Sequence, residues 1–261
     1  MKLRVHSWGG LGSQLFALSL LFDLKNSCPN RKITLIHHTS GISKRIFELE
    51  SILDPRIKLI TIDDYKLLKH NEIKSNYKIK IKSIFTNKFK ILLERIRLII
   101  NYDQNKNLKR IKPWTIMIRG HYSNALISKD FYTYCINQLK NSKTDISSNF
   151  LIVHYRLGDL INLSGKSIIA PEDLIEKIRI VIQQEDVEKI LIYSDSIEEA
   201  KRTLLPLNMM IKEVEFSSEP TIDVIRNSIN AKYFIGTNSK VSIWIIKFRD
   251  HLGMPSEVLK Y

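Results

Sequence analysis

The sequence predicts an α/β protein with parallel strands joined by helical crossovers, and three observations carry that prediction. Apolar runs of strand length over 150–155, 190–193 and 233–235 each end in a polar cluster and lead into helix-type spacing. A glycine cluster, Gly9-Gly-Leu-Gly12, separates a first strand from a first helix. The 44% apolar content over 261 residues excludes disorder and suits one large or two modest α/β domains.

In chain order, residues 3–7 read as a strand, followed by Gly9-Gly-Leu-Gly-Ser-Gln14 and an apolar helical run through Leu24. Closely spaced glycines let the chain turn tightly and leave amides at a helix N-terminus, which suits an anion or a sugar hydroxyl. The spacing is not G-x-G-x-x-G and no Walker lysine follows, so the loop alone does not indicate a nucleotide. Strands over 31–38 and 56–62 come next, with a short helix around Ile46 between them. Asp63 and Asp64 close the third strand, where paired carboxylates serve as a turn or cap more often than as metal ligands. The chain contains no Asp-x-Asp pair.

Between Lys66 and Lys112 there are 14 Lys or Arg against the 3 acids Glu72, Glu94 and Asp103, so +11 of the net +14 lies in one segment. Within it, Phe85, Phe89, Leu92, Leu93, Ile96 and Ile100 fall at helical spacing among Lys88, Lys90, Arg95 and Arg97. Such a helix either lies on an anionic membrane surface or packs its stripe into its own domain. The patch also fits a diphosphate-bearing substrate. No stacking or groove-reading motif accompanies it, so nucleic acid is not the expected partner. A strand over 114–119 then runs into a loop carrying His121.

The polar stretch 140–148 marks a boundary between a first domain, 1–140, and a second, 146–261. The second alternates strands (150–155, 190–193, 209–216, 233–235) with helices opening at Pro171, Ile197, Pro220 and Ser239, a Rossmann-like pattern whose closing helix has room to pack back on the first domain. Pro171, Glu172 and Asp173 suit a helix start. Polar residues gather at the strand ends: His154, Arg156, Gly158 and Asp159 after the first, Asp195 after the second, Asn238, Ser239 and Ser242 after the last. Each alone is a salt-bridged turn or an N-cap. Together in one parallel sheet they form a rim of the kind nucleotides occupy.

Cys28 and Cys135 lie far apart without metal-ligand spacing, which points to reduced thiols in a cytoplasm. No apolar run approaches the roughly 18 residues of a membrane span. The expectation is a cytoplasmic protein with no anchor of its own, peripheral at the inner face of the cell membrane if the basic segment binds there.

Four stretches also resemble a known family. Gly9-Gly-Leu-Gly-Ser-Gln-Leu-Phe16 is similar to the G-G-L-G-N-Q-L/M-F opening of the bacterial α-1,2-fucosyltransferases, and His154-Tyr-Arg-Leu-Gly-Asp159 to their H-x-R-R-G-D element. Tyr193-Ser-Asp-Ser196 resembles F-S-D-D, and Asn238-Ser-Lys-Val-Ser-Ile-Trp244 resembles N-S-S-F-S-W-W. The resemblance implies a GT-B architecture, two Rossmann-like domains with mainly parallel sheets facing across a cleft, the C-terminal one holding a nucleotide sugar. It implies an inverting transfer of fucose from GDP-fucose to a surface-glycan hydroxyl, with no cofactor and no metal, consistent with the missing Asp-x-Asp. The acceptor would be carried on a lipid diphosphate.

By the same mapping Arg156 stabilises the departing diphosphate, with Asp159 and His154 as candidates for the acceptor's proton. Asn238, Ser239 and Ser242 would contact the diphosphate, Asp195 would hold the base or ribose, and Gly10, Gly12 and Gln14 would line the cleft from the other domain. The chain departs from the family at Ser13, Leu157, Ser196, Ile243 and Ile245. Leu157 stands where the family has a second arginine, which leaves a different activated sugar open.

Overall fold

The computed structural model describes residues 2–40, 44–64, 91–102, 111–123, 125–140, 149–157, 169–218 and 221–259. The chain forms two compact units, Met1–Phe131 and Tyr132–Tyr261. Among the described residues each contains a five-stranded sheet in which every pairing is parallel.

The first unit opens with β1 (Leu3–Trp8), whose alternation buries Leu3, Val5 and Ser7 on one face and sets Arg4, His6 and Trp8 on the other. Helix α1 (Leu11–Ser27) has no polar stripe, and every residue from Leu15 to Leu21 is buried, as expected of a helix enclosed on all sides. Gly9, at φ +90°, makes the turn between them, a conformation in which a side chain would be strained. Strands β2 (Ile33–His38), β3 (Lys58–Ile62), β4 (Ile99–Asn101) and β5 (Met117–Arg119) complete the order β3-β2-β1-β5-β4.

The local structure differs from the sequence reading in several places. A 3-10 turn at Glu50–Ile52, rather than a helix at Ile46, precedes β3. The helical spacing of 84–100 does not persist to its end. Arg97 takes a left-handed φ of +59° and the chain continues as β4, while residues up to 90 lie outside the described ones. Most of the basic segment, 65–90 and 103–110, likewise lies outside them. Helix α2 (Lys129–Lys140) had no counterpart in the sequence reading; the division between the units falls inside it, and 141–148 are not described.

In the second unit β6 (Phe150–Tyr155) lies between β9 (Tyr233–Thr237) and β7 (Lys189–Ser194), flanked by β10 (Ser256–Leu259) and β8 (Val214–Ser217). The order β10-β9-β6-β7-β8 means that the chain winds outward from β6 on one side, then returns to build β9 and β10 on the other. Its crossover point lies between β6 and β9, and ligands of open parallel sheets sit outside the carboxyl ends of strands at such a point. The expected strand 209–216 starts only at Val214: Met209 closes a 3-10 turn that began at Leu205, and 210–213 form no regular element.

Helices α3 (Pro171–Gln184), α4 (Ile197–Thr203), α5 (Thr221–Ser228) and α6 (Lys240–His251) connect the strands. Leu151, Val153, Ile190 and Ile192 pack with Leu174 and Ile178 of α3 in one apolar core. Arg249 of α6 is fully buried and donates to the carbonyls of Ser228, Ala231, Lys232 and Pro255. Burial lowers its pKa to about 10, so it stays charged at neutral pH. Among the described residues no helix is long and apolar enough to cross a membrane.

Candidate functional site

The polar rim forms where β6 and β9 end. Thr237 Oγ1 donates to the carbonyl of His154 at 3.1 Å and accepts from the amide of Arg156 at 2.9 Å, tying the two strand ends together. Asp195, just past β7, accepts from the Leu157 amide at 2.9 Å through Oδ1 and from Arg156 Nε at 2.9 Å through Oδ2. One carboxylate thus aims the guanidinium and fixes the chain that leaves β6. The side chains of Arg156 and Asp195 keep 26% and 34% of their surface exposed, so the pair is solvent-screened and contributes on the order of 1 kcal/mol or less. Its effect is orientation: a cation held at the sheet's rim rather than in its core.

His154 shares a strand face with Arg156, but its ring is buried. Burial, reinforced by the Arg156 charge and partly opposed by Asp195, lowers its pKa to about 4, so the imidazole is neutral at pH 7. Its Nδ1 lies 2.8 Å from Ser242 Oγ and 3.5 Å from Ser239 Oγ. Ser239 is the N-cap of α6: its Oγ accepts from the Ser242 amide at 3.0 Å and donates to Ser242 Oγ at 3.1 Å. Ser242 Oγ, between Ser239 Oγ and His154 Nδ1, thus ties the start of α6 to β6.

This packing depends on Gly236. A Cβ there would lie 2.7 Å from Ser242 Cβ, 2.8 Å from Ser242 Oγ and 2.9 Å from Phe234 Cε1, so only glycine lets the start of α6 press against β9. Ser242 is wholly buried and engaged within this chain of hydrogen bonds, Ser239 is half-buried and Asn238 is exposed. Leu157 is 2% exposed and packs in the apolar core, so that position faces the interior rather than the rim. Asp159 and Gly158 lie outside the described residues.

The glycine-loop residues belong to the first unit. Gly10 caps α1, accepting from the amides of Ser13 and Gln14, and Gly12 is buried. Gln14 is 0% exposed, and its amide is committed to backbone: Nε2 donates to the carbonyls of Gly9 and Ile46, and Oε1 accepts from the Glu48 amide. Its place is a clasp between the glycine loop and residues 46–48. Sequence reasoning missed Thr237, whose only signal was its position between Gly236 and Asn238. It also missed a chain running from Asp64 through His38 to His6, whose members lie too far apart in sequence to register as a motif. Among the described residues no group of three or more His, Cys, Asp or Glu is placed to hold a metal ion.

No protein-family model matches the chain, and no curated protein matches it. Among solved structures, E. coli heptosyltransferase WaaC with ADP aligns over 99% of this chain and 87% of its own, at 12% identity and a TM-score of 0.55. The same enzyme with ADP-2-deoxy-2-fluoro heptose aligns over 99% and 88%, at 12% identity and a TM-score of 0.54. The fold is GT-B. POFUT1 in complex with GDP aligns over 100% and 98% at 13% identity, but its TM-score of 0.49 adds nothing to the GT-B assignment. At such identities the likeness concerns the fold alone.

Proposed function

We propose that this protein is a nucleotide-sugar-dependent glycosyltransferase whose donor diphosphate lies at the β6/β9 strand ends of the second unit. The carrying observation is the pairing of Arg156, aimed by Asp195, with a neutral His154 at the same strand end, beside the N-terminus of α6. Transfer leaves negative charge on a diphosphate, and fixed donors in place before reaction stabilise that charge without reorganising. Arg156 supplies the formal charge, and Asn238 and Ser239 the polar groups at the start of α6. Asp195 and Ser242 act behind them as positioning residues. The chemistry follows the inverting, metal-free course implied by the fucosyltransferase resemblance.

Fucose from GDP-fucose is the first donor to test, with a surface-glycan hydroxyl on a lipid diphosphate as acceptor. The basic segment 66–112 suits a peripheral position at the inner face of the membrane. The burial of Leu157 favours a second reading, in which the same site takes a different activated sugar, since the second cation of the fucosyltransferase motif is missing. ADP-linked heptose joins the panel because the aligned heptosyltransferase binds ADP and a fluorinated ADP-heptose.

The test is a thermal-shift panel of GDP, ADP, UDP, GDP-fucose and ADP-heptose against wild type and Arg156→Ala. A true ligand at 100 times its Kd stabilises by about 2.7 kcal/mol. Stabilisation by one nucleotide class, lost in the variant and followed by sugar release or transfer, is the expected result. No shift with any member, or a shift that survives Arg156→Ala, removes the donor site from the second unit and favours a non-catalytic glycan-binding or scaffold domain.

A further inference from the structure

The sequence leaves two fates for the apolar stripe of 84–100, packing into its own domain or lying on a membrane, and its described part, 91–100, divides between them. Residues 91–95 are helical, and Arg97, at its left-handed φ, turns the chain into β4. Ile100 is buried, whereas Ile91, Leu92 and Ile96 each keep about half of their surface exposed. The Ile96 amide donates to the Leu92 carbonyl at 3.1 Å, so these two side chains lie one turn apart on one side. Trp114, also about half exposed, joins them from the turn ahead of β5, where its indole Nε1 donates to the Ile96 carbonyl at 3.0 Å. A single exposed apolar residue is ordinary, but four gathered from two stretches of chain mark a contact surface.

The patch is held in place. Thr115 Oγ1 donates to the Arg97 carbonyl at 2.8 Å and accepts from the Lys112 amide at 3.0 Å, and the Ile116 amide donates to the Leu98 carbonyl at 2.9 Å. Its charge has one sign. Across 91–97 and 111–115 the charged residues are Glu94, Arg95, Arg97 and Lys112. Glu94 is taken up by Arg119 at 3.2 Å, while Arg95 and Arg97 are exposed and, among the described residues, pair with no acid.

We propose that this face docks on an anionic phospholipid bilayer, with Ile91, Leu92, Ile96 and Trp114 entering the headgroup layer and Arg95 and Arg97 meeting lipid phosphates. The inference rests on the peripheral position proposed above, not on the transfer chemistry. Apolar side chains bordered by cations are what the boundary between headgroups and acyl chains accommodates, and tryptophan is enriched there. The one polar atom of the Trp114 side chain is already satisfied by the Ile96 carbonyl, so lipid can cover the ring without stranding a donor.

Other occupants match only half of the surface. A second copy of this chain in a two-fold pair would set Arg95 and Arg97 against their own counterparts. Nucleic acid would match the arginines and leave the four apolar side chains facing phosphates. An anionic bilayer meets both at once, and the +11 carried between Lys66 and Lys112 adds to the attraction.

Co-sedimentation of the intact protein with lipid vesicles tests the docking without donor or acceptor. Wild type should bind vesicles of one part phosphatidylglycerol to two parts phosphatidylcholine, and bind pure phosphatidylcholine at least ~10-fold more weakly. Binding should fall as salt shortens the screening length from about 10 Å at 0.1 M to about 3 Å at 1 M. Leu92→Glu and Ile96→Glu should each weaken it about 10-fold or more, and Arg95→Gln and Arg97→Gln about 5-fold each, all with Tm unchanged. Trp244 is buried and Trp8 is stacked on His38, so a blue shift of tryptophan emission on binding should come from Trp114 and vanish in Trp114→Phe. A wild type that ignores the anionic vesicles, or glutamate variants that bind them as wild type does, overturns the proposal. So does a wild-type dimer that the glutamate variants convert to monomers, or a preference for RNA or DNA over the vesicles. Vesicle binding by a protein that responds to no nucleotide supports the docking and refutes the transferase reading; a nucleotide response without vesicle binding refutes the docking alone.

Discussion

Replacing Gly236 with alanine tests whether the second unit's site is built by close approach of helix to strand. The added Cβ would lie 2.7 Å from Ser242 Cβ and 2.9 Å from Phe234 Cε1, whereas carbon pairs rest near ~3.5–4.0 Å. Phe234 can rotate a little. Ser242 Cβ is fixed to the backbone, so the first turn of α6 has to retreat by about 1 Å, as judged against that contact distance. Overpacking of this kind costs about 1–3 kcal/mol, and a protein of this size loses about 2–4 °C of Tm per kcal/mol. The retreat also pulls Ser242 Oγ away from His154 Nδ1, so nucleotide-induced stabilisation should fall with Tm. The assay is a double-mutant cycle by differential scanning fluorimetry with Ser242→Gly, which removes the atoms at 2.7 and 2.8 Å. The double variant should be more stable than the summed single losses predict by about 1 kcal/mol or more. Strictly additive losses, or a Gly236→Ala protein with wild-type Tm and wild-type nucleotide response, would refute the packing argument.

Other consequences can be checked independently. Leu157→Arg places a guanidinium at a 2% exposed position in the core; it should lose about 3–5 kcal/mol in urea unfolding, as unpaired buried charges do. A stable variant would show that the site can accommodate the second cation. Because folding lowers the His154 pKa from 6.5 to about 4, the unfolded chain binds the extra proton between those values. Stability is therefore full above pH 6.5 and falls as pH drops toward 4, by on the order of 3 kcal/mol from this group; melts of His154→Gln should show a shallower acid decline. Under native conditions a thiol reagent should label partly exposed Cys28 well before Cys135, which is buried and whose pKa burial pushes up. Mass spectrometry of the digested protein reads the order directly.

Much of the second unit was legible in the sequence, because parallel strands covered on both faces read as unbroken apolar runs. Leu151, Ile152 and Val153 form such a run, and Pro171 with Glu172 and Asp173 marks its helix start without ambiguity. The polar strand ends were visible for the same reason, since Arg156 and Asp195 interrupt apolar text. Two short strands were not legible: β4 is three residues and starts in a helix-like spacing, and β10 is four residues with no apolar run of its own. The roles within the site were less legible than its location. Whether a serine or glutamine faces a ligand or an interior is decided by side-chain direction, and both Gln14 and Ser242 face inward. The Asp64–His38–His6 chain depends on strand register, which places residues 26 and 32 positions apart within hydrogen-bonding reach.

Arg249 has a further consequence for how the second unit comes apart. Its guanidinium grips carbonyls from the end of α5, from the turn ahead of β9 and from the turn ahead of β10. No one of those stretches can loosen without stranding a charge in a dry interior, so they are mechanically committed to one another. Amide exchange along that flank should proceed as one correlated opening rather than as progressive fraying from the carboxyl-terminal strand inward.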